Sequence, residues 1–184
     1  MNNRLEYALA FAKAGFYVHP CSEVKVPLLQ GWPEKATTDT AQIEAWDKQH
    51  PGCRWGIATG KCGLFVIDVD VLDKKTGARG SDTITLLEAE HGALPPTFTV
   101  RTKSGGKHYW YRGKAKSGAR NLGPAVDTRS AGGNLIIPDG VDSVALNDLP
   151  IAEAPQWAVE LAGKASAKER PEDANVPAPG VTLH

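Results

Sequence analysis

Apolar and polar positions repeat with two periods along this chain, and the switches between them mark its elements. Leu5, Ala8, Leu9 and Ala12 recur at helical spacing before Gly15, which predicts a short helix over 3–14 with one buried face. Phe16-Tyr17-Val18 reads as a strand closing at His19-Pro20, and Lys25-Val26-Pro27 with Gly31-Trp32-Pro33 marks an irregular loop. Asp39, three residues before Gln42, predicts a capped helix ending at His50-Pro51. Residues 55–60 and 63–70 read as two strands joined by a glycine turn and paired with each other. Ser81-Asp82-Thr83 predicts the cap of a third helix, with Ile84, Leu86 and Leu87 as its apolar stripe and His91-Gly92 as its end. Residues 97–102 and 108–112 form a hairpin around Ser104-Gly105-Gly106. Residues 124–127 and 135–137 are further extended segments, and Pro155-Gln156-Trp157 opens a last helix to about Leu161. From Lys164 onward large apolar side chains are almost absent, so 1–163 reads as one domain and 164–184 as a disordered tail or linker.

The most informative stretch is Leu64-Phe65-Val66-Ile67, a buried strand that runs into Asp68-Val69-Asp70. Side chains alternate faces in a strand, so Asp68 and Asp70 point the same way with Cα atoms roughly 6.5–7 Å apart, while Ile67 and Val69 face apolar packing. Two carboxylates that close invite a divalent cation, although an isolated Asp-x-Asp at a strand end is more often a solvated turn. The hairpin tip Ser104-Gly105-Gly106-Lys107-His108 offers backbone N–H groups, a hydroxyl, a point charge and an imidazole, a combination that can cradle a phosphate. Between residues 101 and 129 the charges are Arg101, Lys103, Lys107, Arg112, Lys114, Lys116, Arg120 and Arg129 against the single acid Asp127. Tyr109, Trp110 and Tyr111 interleave with these cations as stacking surfaces, which points to a nucleotide or polynucleotide. Asp127 either pairs with Arg120 or Arg129 or supplies a third metal ligand, since two ions about 3.5–4 Å apart need carboxylates from more than one segment.

Composition narrows the setting. The 184 residues are 41% hydrophobic and 23% charged with net charge zero, which excludes a general attraction to nucleic acid or membrane and makes any such attraction local. The three cysteines, Cys21, Cys53 and Cys62, form no C-x-x-C pair, so neither a disulfide framework nor a zinc ribbon is expected. A reducing, cytoplasmic location without membrane attachment is the expectation, because the amphipathic N-terminal segment carries Glu6 and Lys13 and no apolar run reaches membrane-spanning length.

Taken together, Gly31-Trp32 with Ala36-Thr37-Thr38-Asp39, Gly56-Ile57-Ala58-Thr59-Gly60, Val66-Ile67-Asp68-Val69-Asp70, Ser104-Gly105-Gly106-Lys107-His108 and Val126-Asp127 with Gly132-Gly133 and Pro138 resemble one family over about residues 5–162. It is the bifunctional primase–polymerase (prim-pol) domain of phage and plasmid replication proteins, in the archaeo-eukaryotic primase superfamily. The resemblance implies an α+β fold with an RNA-recognition-like mixed sheet, an N-terminal αβ unit and flanking helices. It implies that Asp68, Asp70 and Asp127 hold two magnesium or manganese ions and no zinc, and that Ser104 and His108, with Gly105, Gly106, Lys107 and Arg129, bind nucleotide phosphates. Lys25, Arg101, Lys103, Arg112 and Arg120 are weaker assignments to DNA phosphates, argued from charge. The implied reaction is attack of a 3′-hydroxyl on the α-phosphate of a dNTP or NTP on a single-stranded DNA template, in a bacterial host cell. A replicative helicase, in the same chain or separate, is the implied partner. Asn134 departs from the aromatic residue usual after the Gly-Gly pair, which bears on base or template contacts there. The alternatives are a catalytically silent module that binds single-stranded DNA and a metal-dependent nuclease.

Overall fold

The computed structural model describes residues 3–168. It is an α+β fold built on two antiparallel sheets that share a core. Helix α1 (Arg4–Lys13) leads to β1 (Val18–Cys21), a short turn of helix α2 (Trp32–Lys35) and α3 (Thr40–Gln49). Then come β2 (Arg54–Ala58), β3 (Leu64–Val69), α4 (Gly80–His91), β4 (Thr99–Thr102) and β5 (Lys107–Arg112). The strands β6 (Gly118–Gly123), β7 (Val126–Arg129), β8 (Asn134–Ile136), β9 (Ser143–Ala145) and β10 (Ala152–Glu153) precede α5 (Gln156–Lys168).

The small sheet has the order β1-β2-β8, and the large one β6-β7-β3-β5-β4-β9, with β10 lying parallel to β5 where β4 has ended. Pro20 is tolerated within β1 because that strand is an edge. Its carbonyl accepts the N–H of Leu28 on the side away from β2, so the missing proline N–H breaks no rung with β2. The expected pairing of 55–60 with 63–70 does not occur. β2 is enclosed by β1 and β8, and β3 by β5 and β7, so each strand is central in its own sheet. Residues 59–63 carry the chain across between the sheets. The buried Thr59 hydroxyl fixes that crossing, lying 2.6 Å from the Ser130 carbonyl and 2.9 Å from that of Gly133.

Alternation along β3 divides the core in two. Leu64 and Val66 join Trp110 and Val100 against Trp55, Ile57 and Leu135 of the small sheet and against α1 and α3. Phe65, Ile67 and Val69 face the other way, with Tyr111 and Val126, under α4 and α5. Trp110 and Tyr111 are therefore core residues and not stacking platforms, both fully buried. Trp110 meets Phe98 edge to face at 5.3 Å, and the Tyr111 hydroxyl donates to the Pro95 carbonyl at 2.8 Å.

Asp39 caps α3 by accepting from the Ala41 N–H at 3.0 Å, with the helix running to Gln49. Helix α4 starts at Gly80, one residue before its Ser-Asp-Thr signal, and has no side-chain cap. Leu86 is exposed, so the buried stripe narrows to Ile84 with Leu87 beside it. The last helix continues past Leu161 to Lys168, running through Gly163 with no proline to end it. The rest of the expected tail, 169–184, lies outside the described residues. Since Trp110 fills the space between the sheets, Trp110→Ala is expected to cost about 3–5 kcal/mol of stability. A urea midpoint unchanged by that substitution would contradict this packing.

Candidate active site

The register of the large sheet brings the chemistry together. Asp68 in β3 lies directly opposite Asp127 in β7 on one side and opposite His108 in β5 on the other. Residues paired across strands share a face, so Asp127, Asp68 and His108 form one row. The next rung toward the core is Arg129, Val66 and Trp110, so the row marks where the apolar face between the sheets opens to solvent.

Within the row the carboxylates are held by a guanidinium, an imidazole and one backbone donor. His108 Nε2 lies 3.2 Å from Asp68 Oδ1. Arg129 reaches both acids, 3.3 Å from Asp127 Oδ2 and 3.7 Å from Asp68 Oδ2. The backbone N–H of Arg120 donates to Asp127 Oδ1 at 2.8 Å. The side chains of Asp68 and Asp127 retain only 16% and 17% of their exposure, so both are partly withdrawn from water.

Asp70 is exposed just past the strand, and its N–H is fixed on the Ala125 carbonyl at 2.9 Å. Its carboxyl is pushed above the usual range by partial burial and by repulsion from Asp68 and Asp127. Burial works in the same direction on Asp68, but the His108 hydrogen bond and charge, Arg129 and Lys25 outweigh it and hold that carboxyl below the usual range. The influence of Lys25 places it near the acidic row. Lys25 has a left-handed backbone (φ 67°), and its carbonyl accepts from Asn134 Nδ2 at 3.2 Å.

The glycine hairpin closes over the end of β3. A Cβ on Gly106 would stand 2.5 Å from the Val69 carbonyl, so no larger residue fits this approach, and Gly105 takes φ 91°. The Gly105 N–H is engaged by the Thr102 carbonyl at 3.0 Å, and the Ser104 hydroxyl lies 3.0 Å from that of Thr102. Other sequence candidates stand elsewhere. Lys107 and Arg101 are paired with each other in the rung of Val69, on the opposite face of the sheet. Lys103 is bound to Asp142 at 3.2 Å, and Arg112 is at the far end of β5 opposite Leu64. The Arg120 guanidinium turns to Asp73, with Nε 2.7 Å from Oδ2.

A pocket of about 360 Å³ is lined by Asp70 with Arg79, Lys107, Tyr109 and the two hairpin glycines. A larger one, about 480 Å³, lies away from the acidic row beside Arg4, Tyr7 and Glu23, where Arg4 and Glu23 are paired and neutralise one another. Asp73 escaped notice in the sequence. Its signal was the turn-forming run Asp73-Lys74-Lys75-Thr76-Gly77 directly after Asp70.

Chemically, the donor set is three carboxylates with hard oxygen ligands, two of them face to face and the third destabilised by their field. That set suits a magnesium- or manganese-like cation. As the side chains stand, no group of three or more His, Cys, Asp or Glu among the described residues is placed to hold a metal, and Arg129 contacts both Asp68 and Asp127. Residues 8–157 match the family described as bifunctional DNA primase/polymerase, N-terminal. The chain belongs to that family. No curated protein matches the sequence.

The opposed shifts of the two β3 acids give opposed signs in stability. A raised carboxyl binds its proton more tightly in the folded chain, so its contribution to stability falls as pH rises. A lowered one stabilises the fold above the ordinary carboxylate range and loses this as pH falls. In metal-free protein at pH 7, Asp70→Asn is expected to raise the urea midpoint and Asp68→Asn to lower it, each by less than about 1 kcal/mol. Both differences should shrink on acidification through the carboxylate range. Equal signs for the two variants would contradict the electrostatics described.

Proposed function

We propose that this chain is a template-dependent nucleotidyl transferase, a DNA primase and polymerase of phage or plasmid replication. The observation that carries the reading is the single row Asp127–Asp68–His108, with Asp70 and Arg129 beside it, in a chain of the primase/polymerase family. Asp68, Asp70 and Asp127 would hold two divalent cations, magnesium or manganese, whose contribution when bound is to neutralise charge on the attacking and leaving oxygens.

The other steps belong to this chain's own side chains. His108 and Arg129 contact Asp68 and Asp127 in the chain alone, and they would be donors to an incoming triphosphate. Ser104 and the glycine hairpin, packed on the end of β3, would border the same phosphates, whereas Lys107 stands on the opposite face of the sheet. Lys25 would meet phosphate from the opposite wall, the loop of the small sheet. Single-stranded DNA would be the template, and a helicase would supply it in cis or in trans. Acceleration then comes from positioning the 3′-hydroxyl against the α-phosphate and from charge placed in advance of reaction.

Nucleotide incorporation on unprimed and primed single-stranded DNA tests the reading, with each metal and with both sugar types. Metal-dependent product is expected, and Asp70→Ala should lower its rate by about 10²–10³ or more, the scale for removing a group that stabilises transition-state charge, while leaving the fold intact. Absence of product together with salt-sensitive DNA binding would overturn it in favour of a DNA-binding module.

A further inference from the structure

Asp73 lies in the loop between β3 and α4, three residues beyond Asp70, and its side chain is only 4% exposed. A buried carboxylate on a surface loop needs partners, and Asp73 has four. Oδ1 accepts the N–H groups of Lys75 and Thr76, each at 2.9 Å, which closes the loop on itself. Oδ2 accepts the Ala125 N–H at 3.1 Å and lies 2.7 Å from Arg120 Nε. Burial alone would raise this carboxyl, but the N–H donors of Thr76, Ala125 and Lys75 outweigh it and lower it to about 2, so it stays charged.

Both long-range partners have left-handed backbones without being glycine, Arg120 at φ 56° and Ala125 at φ 60°. Such residues cost on the order of 1–3 kcal/mol and persist where their surroundings over-determine them. Each also touches a candidate metal ligand through its backbone. The Arg120 N–H donates to Asp127 Oδ1 at 2.8 Å, and the Ala125 carbonyl accepts from the Asp70 N–H at 2.9 Å. The irregular register of β6 against β7 falls between Gly118 and Gly123, around Arg120.

We infer that Asp73 is a positioning residue: by holding Arg120 and Ala125 in their left-handed conformations it sets the carboxylate of Asp127 and the backbone of Asp70 for the cations. This rests on the nucleotidyl-transfer reading. It assigns to a loop aspartate, which touches neither nucleotide nor metal, control over how well the acidic row binds its ions.

Asp73→Asn keeps the shape and can keep Oδ1 on Lys75 and Thr76, but places an amide against the Ala125 N–H and the Arg120 guanidinium. Two readouts apply: manganese binding followed by the electron paramagnetic resonance of the free ion, and incorporation kinetics on primed DNA. Asp73→Asn is expected to weaken manganese binding about tenfold and to lower kcat at saturating metal, with nucleotide KM within about twofold of wild type, the pattern of lost transition-state positioning. Adding Arg120→Gly, which adopts φ 56° without help, is expected to recover at least half of the lost manganese affinity. If Asp73→Asn does not fold, Arg120→Ala decides, because it removes the ion pair and leaves the three backbone bonds of Asp73. A fall of about fivefold in manganese affinity supports the inference. A folded Asp73→Asn with wild-type manganese affinity and kcat overturns it, as does Arg120→Ala with wild-type affinity. Wild-type protein that binds manganese nowhere and makes no product overturns instead the underlying reading.

Discussion

Two aspartates face each other across adjacent strands, Asp68 in β3 and Asp127 in β7, and the architecture around them exists in the presence of that repulsion. Like charges directly opposite in a sheet are unfavourable. The structure offsets them with Arg129 between the pair, His108 on the outer side of Asp68, and the Arg120 N–H on Asp127. What remains uncompensated shows at Asp70, whose carboxyl is pushed up by partial burial and the other two acids. In the proposed reading, bound divalent ions would take over the compensation that Arg129 and His108 give in the chain alone.

Register is what makes the gathering possible. A slip of one residue between β3 and β7 would send Asp127 to the helical face and dissolve the row. Several features hold the register against such a slip: the grip of Asp70 on the Ala125 carbonyl, the Asp73 anchor, and the close approach of Gly80, where a Cβ would meet the Asp70 carbonyl at 2.3 Å and that of Ala125 at 2.9 Å. The two-sided core does the rest. Leu64 and Val66 are committed to the small sheet and Phe65, Ile67 and Val69 to the helices, so β3 cannot turn over without exposing one set.

The local elements were largely legible in the sequence because their signals are local. The hairpin around Gly105-Gly106 and the Asp39 cap follow from turn chemistry. Of the two readings of Asp127, the pairing with Arg129 is present in the structure, beside a hydrogen bond from the Arg120 backbone N–H, and the metal-ligand role is part of the proposal. The division into two sheets was not legible. Strand pairing is non-local, and a glycine turn between two apolar strands reads alike whether it folds them together or carries the chain across. The basic block misled for a related reason. Charge is visible in a sequence but its destination is not, so Lys103 and Arg120, bound to Asp142 and Asp73, look the same as Arg129, which stands in the row. Trp110 and Tyr111 likewise read as exposed platforms because the covering of both faces of β5 depends on elements far away in the chain.

The most direct test of the central claim, that this row is a cation-dependent nucleotide site, is anomalous X-ray scattering from crystals soaked with manganese and a non-hydrolysable nucleoside triphosphate. Manganese peaks are expected within coordinating distance of Asp68, Asp70 and Asp127, with Arg129 turned off the carboxylates and His108 on phosphate oxygen. Manganese and nucleotide located elsewhere, with the Arg129 and His108 pairs intact at the same concentrations, would contradict it.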